Sequence, residues 1–218
     1  MTRTATLTAL LMLAAPPALA HPHIFIATGV EVLFDAQKQA TGLRIRWDYD
    51  DFYSMIIIED RQLDPDFDGA LTPEEAALLN GFDMRWDEGF EGDTYALFAG
   101  QPLTLGPPQD PQTAYANGRL TTYHTRSFAA PLDLGQAELV IQAYDPTYYS
   151  AYRIEAAPDL SSGPNGCSAT VFEPDPAAAD AVLQAALAEL EGQDGAEMDF
   201  PPVGAAFADE VRLTCPAQ

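Results

Sequence analysis

Leu43-Arg44-Ile45-Arg46-Trp47-Asp48-Tyr49 alternates apolar and charged side chains. A period of two is the mark of a strand with one buried and one wet face. Upstream, Ile24 to Phe34 reads as a second extended segment, and Asp35-Ala36-Gln37-Lys38-Gln39 between them makes a plausible hairpin turn. Downstream, Asp51-Phe52-Tyr53-Ser54-Met55-Ile56-Ile57-Ile58-Glu59-Asp60-Arg61 can enter as a helix. The change of period marks a helical insertion between strands. It extends over about residues 51–92, through Phe82, Met84, Trp86 and Phe90 to Gly92, apolar enough to pack its aromatic side on the sheet.

Within that insertion lies Asp64-Pro65-Asp66-Phe67-Asp68-Gly69-Ala70-Leu71-Thr72-Pro73-Glu74-Glu75, which reads as an EF-hand loop. Asp64, Asp66 and Asp68 fill its first, third and fifth positions, and Gly69 stands where the backbone turns sharply. Ala70 offers a carbonyl, Thr72 the ninth position, and Glu75 a bidentate carboxylate at the twelfth. Calcium is the expected ion, since a hard cation takes six to eight oxygens. The rival reading is a solvated acidic turn. Composition, however, explains neither Leu71 at the eighth position nor Glu75 at the twelfth. Thr72 as cap and Pro73 at the first helical position start the second helix. The sequence holds no second loop of this kind, which favours a structural clip over a sensor.

Residues 1–20 carry Arg3, an apolar run from Leu7 to Ala15, and Ala18-Leu19-Ala20 as a small-x-small cleavage site. This is the pattern of a secretory signal peptide, and no later stretch is apolar enough to enter a bilayer as a helix. Cleavage after Ala20 makes His21 the first residue, followed by Pro22 and His23. A terminal histidine offers its imidazole and an amine whose pKa is about 8, from which a metal displaces the proton readily. On an extended chain His21 and His23 project to the same side. Pro22 has no amide hydrogen, so a chelate through successive backbone amides is ruled out. The only other histidine, His124, lies in the strand-like Gly118-Arg119-Leu120-Thr121-Thr122-Tyr123-His124-Thr125-Arg126-Ser127-Phe128. His21, His23 and His124 are candidate ligands for zinc, nickel, cobalt or copper. The bland alternative makes the first two a tolerated polar end and His124 a surface residue.

Beyond the insertion, strands are expected at Tyr95–Phe98, Gly100–Leu105, around His124, at Glu138–Tyr144 and after the Asp145-Pro146 turn, with a loop leading to Gly118. Asp145 is a turn residue first and a metal ligand second. Asp175-Pro176 opens a helix in which Leu183, Leu187 and Leu190 recur at helical spacing, with Gly192 as its stop. Its apolar face is expected to cover a sheet. The whole reads as α+β: an antiparallel sheet or sandwich with an inserted EF-hand-like helix-loop-helix and a C-terminal helix, forming one domain over 21–218.

The formal net charge is −23, so nucleic acid and anionic lipid are repelled. Cys167 and Cys215, in an exported chain, are expected to form a disulfide. No G-x-S-x-G, H-E-x-x-H, phosphate loop or dinucleotide fingerprint occurs, so an enzyme is not indicated.

His-Pro-His-Ile-Phe-Ile after the leader, Arg46-Trp47-Asp48-Tyr49-Asp50-Asp51-Phe52-Tyr53-Ser54, and Tyr144-Asp145-Pro146-Thr147-Tyr148-Tyr149 together resemble the DUF1007 family of exported bacterial proteins. The resemblance covers most of the mature chain. It implies a periplasmic protein accompanying a membrane transporter for nickel, cobalt or zinc, with His21, His23 and Asp145 at family positions. The expectation is therefore a periplasmic metal-binding accessory with structural calcium. Its rivals are a calcium-stabilised interaction module without transition-metal function, and a copper oxidase built on the terminal histidines.

Overall fold

The alternation at 43–49 is realised as the middle of a five-stranded sheet in the computed structural model, which describes residues 22–66, 68–190 and 201–217. Strands β1 (Ile24–Phe34) and β2 (Ala40–Tyr49) form the expected hairpin, with Val30 opposite Ile45 and Thr28 opposite Trp47. Helices α1 (Asp51–Asp60) and α2 (Pro73–Leu79) follow, then β3 (Thr94–Phe98), β4 (Gln101–Leu103), β5 (Gln109–Ala116), β6 (Arg119–Leu132), β7 (Leu139–Ala143) and β8 (Ser150–Ile154). The chain ends with β9 (Ser168–Phe172), α3 (Pro176–Leu190), a 3-10 turn over Gly204–Phe207 and β10 (Glu210–Thr214). One sheet has the order β5-β6-β2-β1-β8 and the other β4-β3-β7-β10-β9. All pairings between these strands are antiparallel except β1 with β8. The architecture is an α+β sandwich with a helix-loop-helix between β2 and β3.

Leu43, Ile45, Trp47 and Tyr49 are buried and share one core with Leu139 and Ile141 of β7 and Val211 and Leu213 of β10. Three expectations are corrected. Helix α2 stops at Leu79, and 82–90 is irregular chain with turns at 82–83 and 88–89, because Gly81 adopts φ +70° beyond the Asn80 cap. The loop before Gly118 holds β5, an edge strand that accommodates Pro111 with an irregular register between Gln109 and Gln112. Helix α3 buries only Ala179 and Leu183 and leans on the 3-10 turn, so it covers a sheet less than its leucine spacing suggested. The leader at 1–20, His21 and the stop at Gly192 lie outside the described residues.

Two buried acids tie the sheets together. Asp93, just before β3, accepts a hydrogen bond from the Tyr152 hydroxyl of β8 at 2.8 Å. Asp209, just before β10, accepts from the backbone N–H of Ile154, also in β8, at 2.7 Å. Burial pushes the Asp93 carboxyl up to about 7, against which the Tyr152 hydrogen bond acts only in part. Cys167 and Cys215 are bonded to each other, one residue beyond the Ser168 and Thr214 pair that ends the β9–β10 ladder.

The disulfide closes a loop across a sequence separation of 48 residues. Replacing both cysteines by serine is expected to cost about 4 kcal/mol through the gain in unfolded-state entropy. Urea unfolding measures this, and an unchanged midpoint would show that β9–β10 pairing alone suffices. A second prediction concerns Asp93, whose folded carboxyl holds its proton to a higher pH than the unfolded one. Its contribution is therefore present at pH 4 and lost as pH rises through about 7. Asp93→Asn removes that dependence, so the stability difference between wild type and variant should change by about 4 kcal/mol from pH 4 to pH 8. Parallel stability-against-pH curves for the two proteins would refute the assignment.

Candidate metal centre

The insertion is fastened before its loop begins. Asp50 caps α1 by accepting from Tyr53 N at 2.8 Å, and its second oxygen accepts from Phe25 N at 2.7 Å, joining the helix start to β1. Ser54, fully buried, accepts from Leu120 N at 2.9 Å and so joins α1 to β6. Leu63 and Leu79 are buried on either side of the loop and anchor its ends in the core.

Between these anchors Asp64 is buried, whereas Asp66 and Asp68 are exposed. One carboxylate oxygen of each lies within 4.8 Å of the others. Asp64 organises the turn, accepting from Asp68 N and from Gly69 N at 3.0 Å each. Gly69 has φ +77° and open space where a Cβ would stand, so its requirement for glycine is conformational. Asp68 in turn accepts from Ala70 N at 2.8 Å.

Thr72 and Glu75 form a capping box: Thr72 Oγ1 accepts from Glu75 N at 3.3 Å, and Glu75 Oε2 accepts from Thr72 N at 2.8 Å. Thr72 Oγ1 also donates to Glu75 Oε2 at 2.8 Å. Hydrogen bonds from Thr72 hold the Glu75 carboxyl below its ordinary range. The sequence-predicted oxygens Asp64, Asp66 and Asp68 are thus brought together, with Ala70 and Thr72 on the same short loop. Glu75 is turned back toward the loop but engaged by Thr72. The donor set is all oxygen and carries three negative charges at one point, which suits a hard divalent cation.

The histidines are not brought together. His21 lies outside the described residues. His23 is exposed at the start of β1, its backbone N–H donating to Tyr149 O at 2.8 Å and its ring 4.8 Å from the Tyr149 ring. His124 is fully buried, correcting the alternative that it is a surface residue. It sits opposite Ile45, which faces Val30, seven residues along β1 from His23. At strand spacing that is about 23 Å before the two intervening strand gaps are counted. The grouping of His124 with His23 as ligands of one ion is therefore corrected. Trp47 packs against the His124 ring at 4.7 Å and Trp86 at 5.7 Å. Burial, aided by the charge of Arg126, pushes the His124 pKa down to about 4.

Asp145 is the turn residue its sequence suggested. It accepts from Thr147 N at 2.8 Å and from Ser150 N at 3.0 Å.

Sequence reasoning overlooked Asp83, which accepts from the hydroxyls of Tyr49 at 2.8 Å and Thr122 at 2.7 Å. It also overlooked Arg126, whose guanidinium lies 4.7 Å from the Trp86 ring centre and donates to the carbonyls of Glu91, Leu105 and Gly106. An acid between Phe82 and Met84, in a segment otherwise apolar enough to pack, was the available signal for Asp83.

An uncharacterized protein of Haemophilus influenzae is 27% identical to this chain over 202 residues, covering 90% of this chain and 92% of that protein. Among solved structures, an acetylcholine-binding protein type 1 of Biomphalaria glabrata aligns over 94% of this chain and 91% of its own, at 9% identity and a TM-score of 0.35. A TM-score that low establishes neither a common fold nor a common ligand. The model of a family described as a protein of unknown function, DUF1007, matches residues 6–215, nearly the whole chain, and the chain belongs to that family.

Proposed function

We propose that this chain is an exported, periplasmic metal-binding protein whose EF-hand loop takes a structural calcium and whose terminal histidines hold a transition metal in transit to or from a membrane transporter. The observation that carries the reading is the convergence of Asp64, Asp66 and Asp68, whose ligand oxygens lie within 4.8 Å of one another. Calcium, when bound, neutralises those carboxylates. Asp64 sets the turn, Ala70 and Thr72 add oxygens, and Glu75 joins once it leaves Thr72. Because Leu63 and Leu79 are in the core, closing the loop on an ion stiffens the connection between α1 and α2.

Export is supported by the leader-like residues 1–20 and by the Cys167–Cys215 disulfide, a bond of oxidising compartments. Among the described residues no helix is long and apolar enough to cross a membrane. The transition-metal reading now rests on His21 and His23 alone, with a free amine if cleavage follows Ala20. A second reading, a calcium-stabilised docking module, is favoured by Phe25 and Phe52, which are 56% and 64% exposed near Asp50.

Calcium at about one hundred times its dissociation constant should stabilise the protein by about 2.7 kcal/mol against urea, relative to a chelator-treated sample. Asp66→Ala should abolish that gain without altering the calcium-free protein, because Asp66 is exposed and the side-chain hydrogen bonds that shape the loop among the described residues are accepted by Asp64 and Asp68. Equal stabilisation of the variant would remove the loop as the binding site.

For the histidines, calorimetric titration of zinc, nickel and copper compares the mature chain with a form carrying one extra residue before His21. Blocking the amine role should weaken binding about tenfold or more. If a His21→Ala, His23→Ala double variant binds as tightly as wild type, the docking module becomes the better reading.

A further inference from the structure

Away from the calcium loop, a cavity of about 380 Å³ lies between the irregular chain at 82–90 and strands β1, β2 and β8. Half of its lining is aromatic: Trp47, Tyr49, Tyr53, Trp86, Phe90 and Tyr152. Asp83 completes the wall, with the charge of Arg61 acting on it from beside Phe82, and Arg85 and Asp87, also in the lining, are both exposed and of opposite charge. The rings are held in fixed geometry. Tyr49 and Tyr53 are 5.1 Å apart, Trp47 and Tyr152 5.9 Å, and Trp86 meets Phe90 edge-on at 5.4 Å. Trp86 is fixed further by donating its indole N–H to Asp83 O at 2.8 Å and by lying over Gly92, where any Cβ would collide with its ring.

Hydrogen bonding in this wall is incomplete. Asp83 Oδ2 receives two hydroxyls, but Asp83 Oδ1 is buried and receives none among the described residues. Trp47, 3% exposed, also has a buried indole N–H with no acceptor among the described residues, a donor that an ammonium ion leaves unmet. A buried carboxylate oxygen without a donor is unfavourable, and a donor bringing positive charge relieves it. Aromatic faces also attract cations, most of all those of tryptophan. An anion would meet Asp83 and an aromatic wall, and a neutral apolar molecule would leave Asp83 Oδ1 unmet. A bare metal ion lacks ligands here: the only cluster of three or more metal-ligating groups among the described residues is Asp64, Asp66 and Asp68.

We propose that this cavity binds a small organic ammonium ion, a primary or secondary amine whose N–H meets Asp83 while its carbon chain lies among Trp47, Trp86 and the tyrosine rings. The lining contains none of the residues named for either metal site, and the test below reads the cavity alone. The chain contains two tryptophans, both in this wall, so intrinsic fluorescence reports occupancy directly. Butylammonium should give a saturable fluorescence change, with neutral pentan-1-ol and N–H-free tetramethylammonium at least about tenfold weaker. Asp83→Asn should weaken butylammonium about tenfold or more. Phe90→Ala, at a ring 43% exposed and tolerant of truncation, should weaken it about threefold.

No saturable response to butylammonium overturns the proposal. So does an equal response to pentan-1-ol or tetramethylammonium, or unaltered affinity in Asp83→Asn. If Asp83→Asn loses its native circular dichroism, Phe90→Ala decides, and undiminished affinity there overturns the site.

Discussion

The turns that follow α2 are joined to the first sheet through a carboxylate largely removed from water. Asp83 receives the hydroxyl of Tyr49 on β2 and of Thr122 on β6, so a single side chain spans two neighbouring strands from above. Burial raises its pKa and the two hydroxyls pull it back, which is the balance expected of an acid retained for position. Because Asp83 is fixed, Trp86 is fixed by its bond to the Asp83 carbonyl, and Trp86 then covers His124 and Arg126. The aromatic cavity, the burial of His124 and the path of the chain toward Gly92 all follow from that attachment.

The same physics divides the acids of this chain into two populations. Most of the 33 are on the surface of a strongly negative protein, where they repel polyanions and contribute little to any one contact. Asp83, Asp93 and Asp209 are different, since burial raises the pKa of each and specific donors hold each in place. Asp93 and Asp209 both reach β8, the strand that runs parallel to β1. The start of β1 at Ile24 is thus seated next to the strand on which both inter-sheet ties converge.

What the sequence made legible was local. The β1–β2 hairpin was readable because its apolar side chains alternate, and the start of α2 because Thr72, Pro73 and Glu75 satisfy their own backbone within one turn. Strand β5 was hidden because Asp110 with φ +51° and Pro111 interrupt its alternation, an irregularity an edge strand tolerates. The burial of His124 was hidden for a related reason. The inward row of β6 is Leu120, Thr122, His124, Arg126 and Phe128, and its three polar members look outward to any rule based on hydropathy alone. Their inward orientation depends on Asp83, Trp86 and the carbonyl of Glu91, which lie about 35 to 40 residues away in sequence. The acidic loop was legible as a ligand pattern, whereas the occupation of Glu75 was not, because nothing in its spacing says which partner wins.

That competition defines how the loop would work. Glu75 Oε2 holds the Thr72 N–H and hydroxyl, and the same oxygen is one that a bidentate contact to calcium would need. Taking Glu75 from Thr72 would break two hydrogen bonds at the start of α2. A bound calcium would have to offset that before any net affinity appeared. Asp64 already holds Asp68 N and Gly69 N in the turn, so its side of the loop needs little rearrangement. The carboxylates of Asp66 and Asp68 would gain most from a cation, because they are crowded and exposed, with Asp68 held only by the Ala70 N–H. Binding would therefore convert a helix cap into a metal ligand, its energy divided between relieving the three aspartates and releasing Glu75. A loop already ordered by Asp64 and Thr72 would suit a clip that fastens a covalent connection better than a switch that opens a groove.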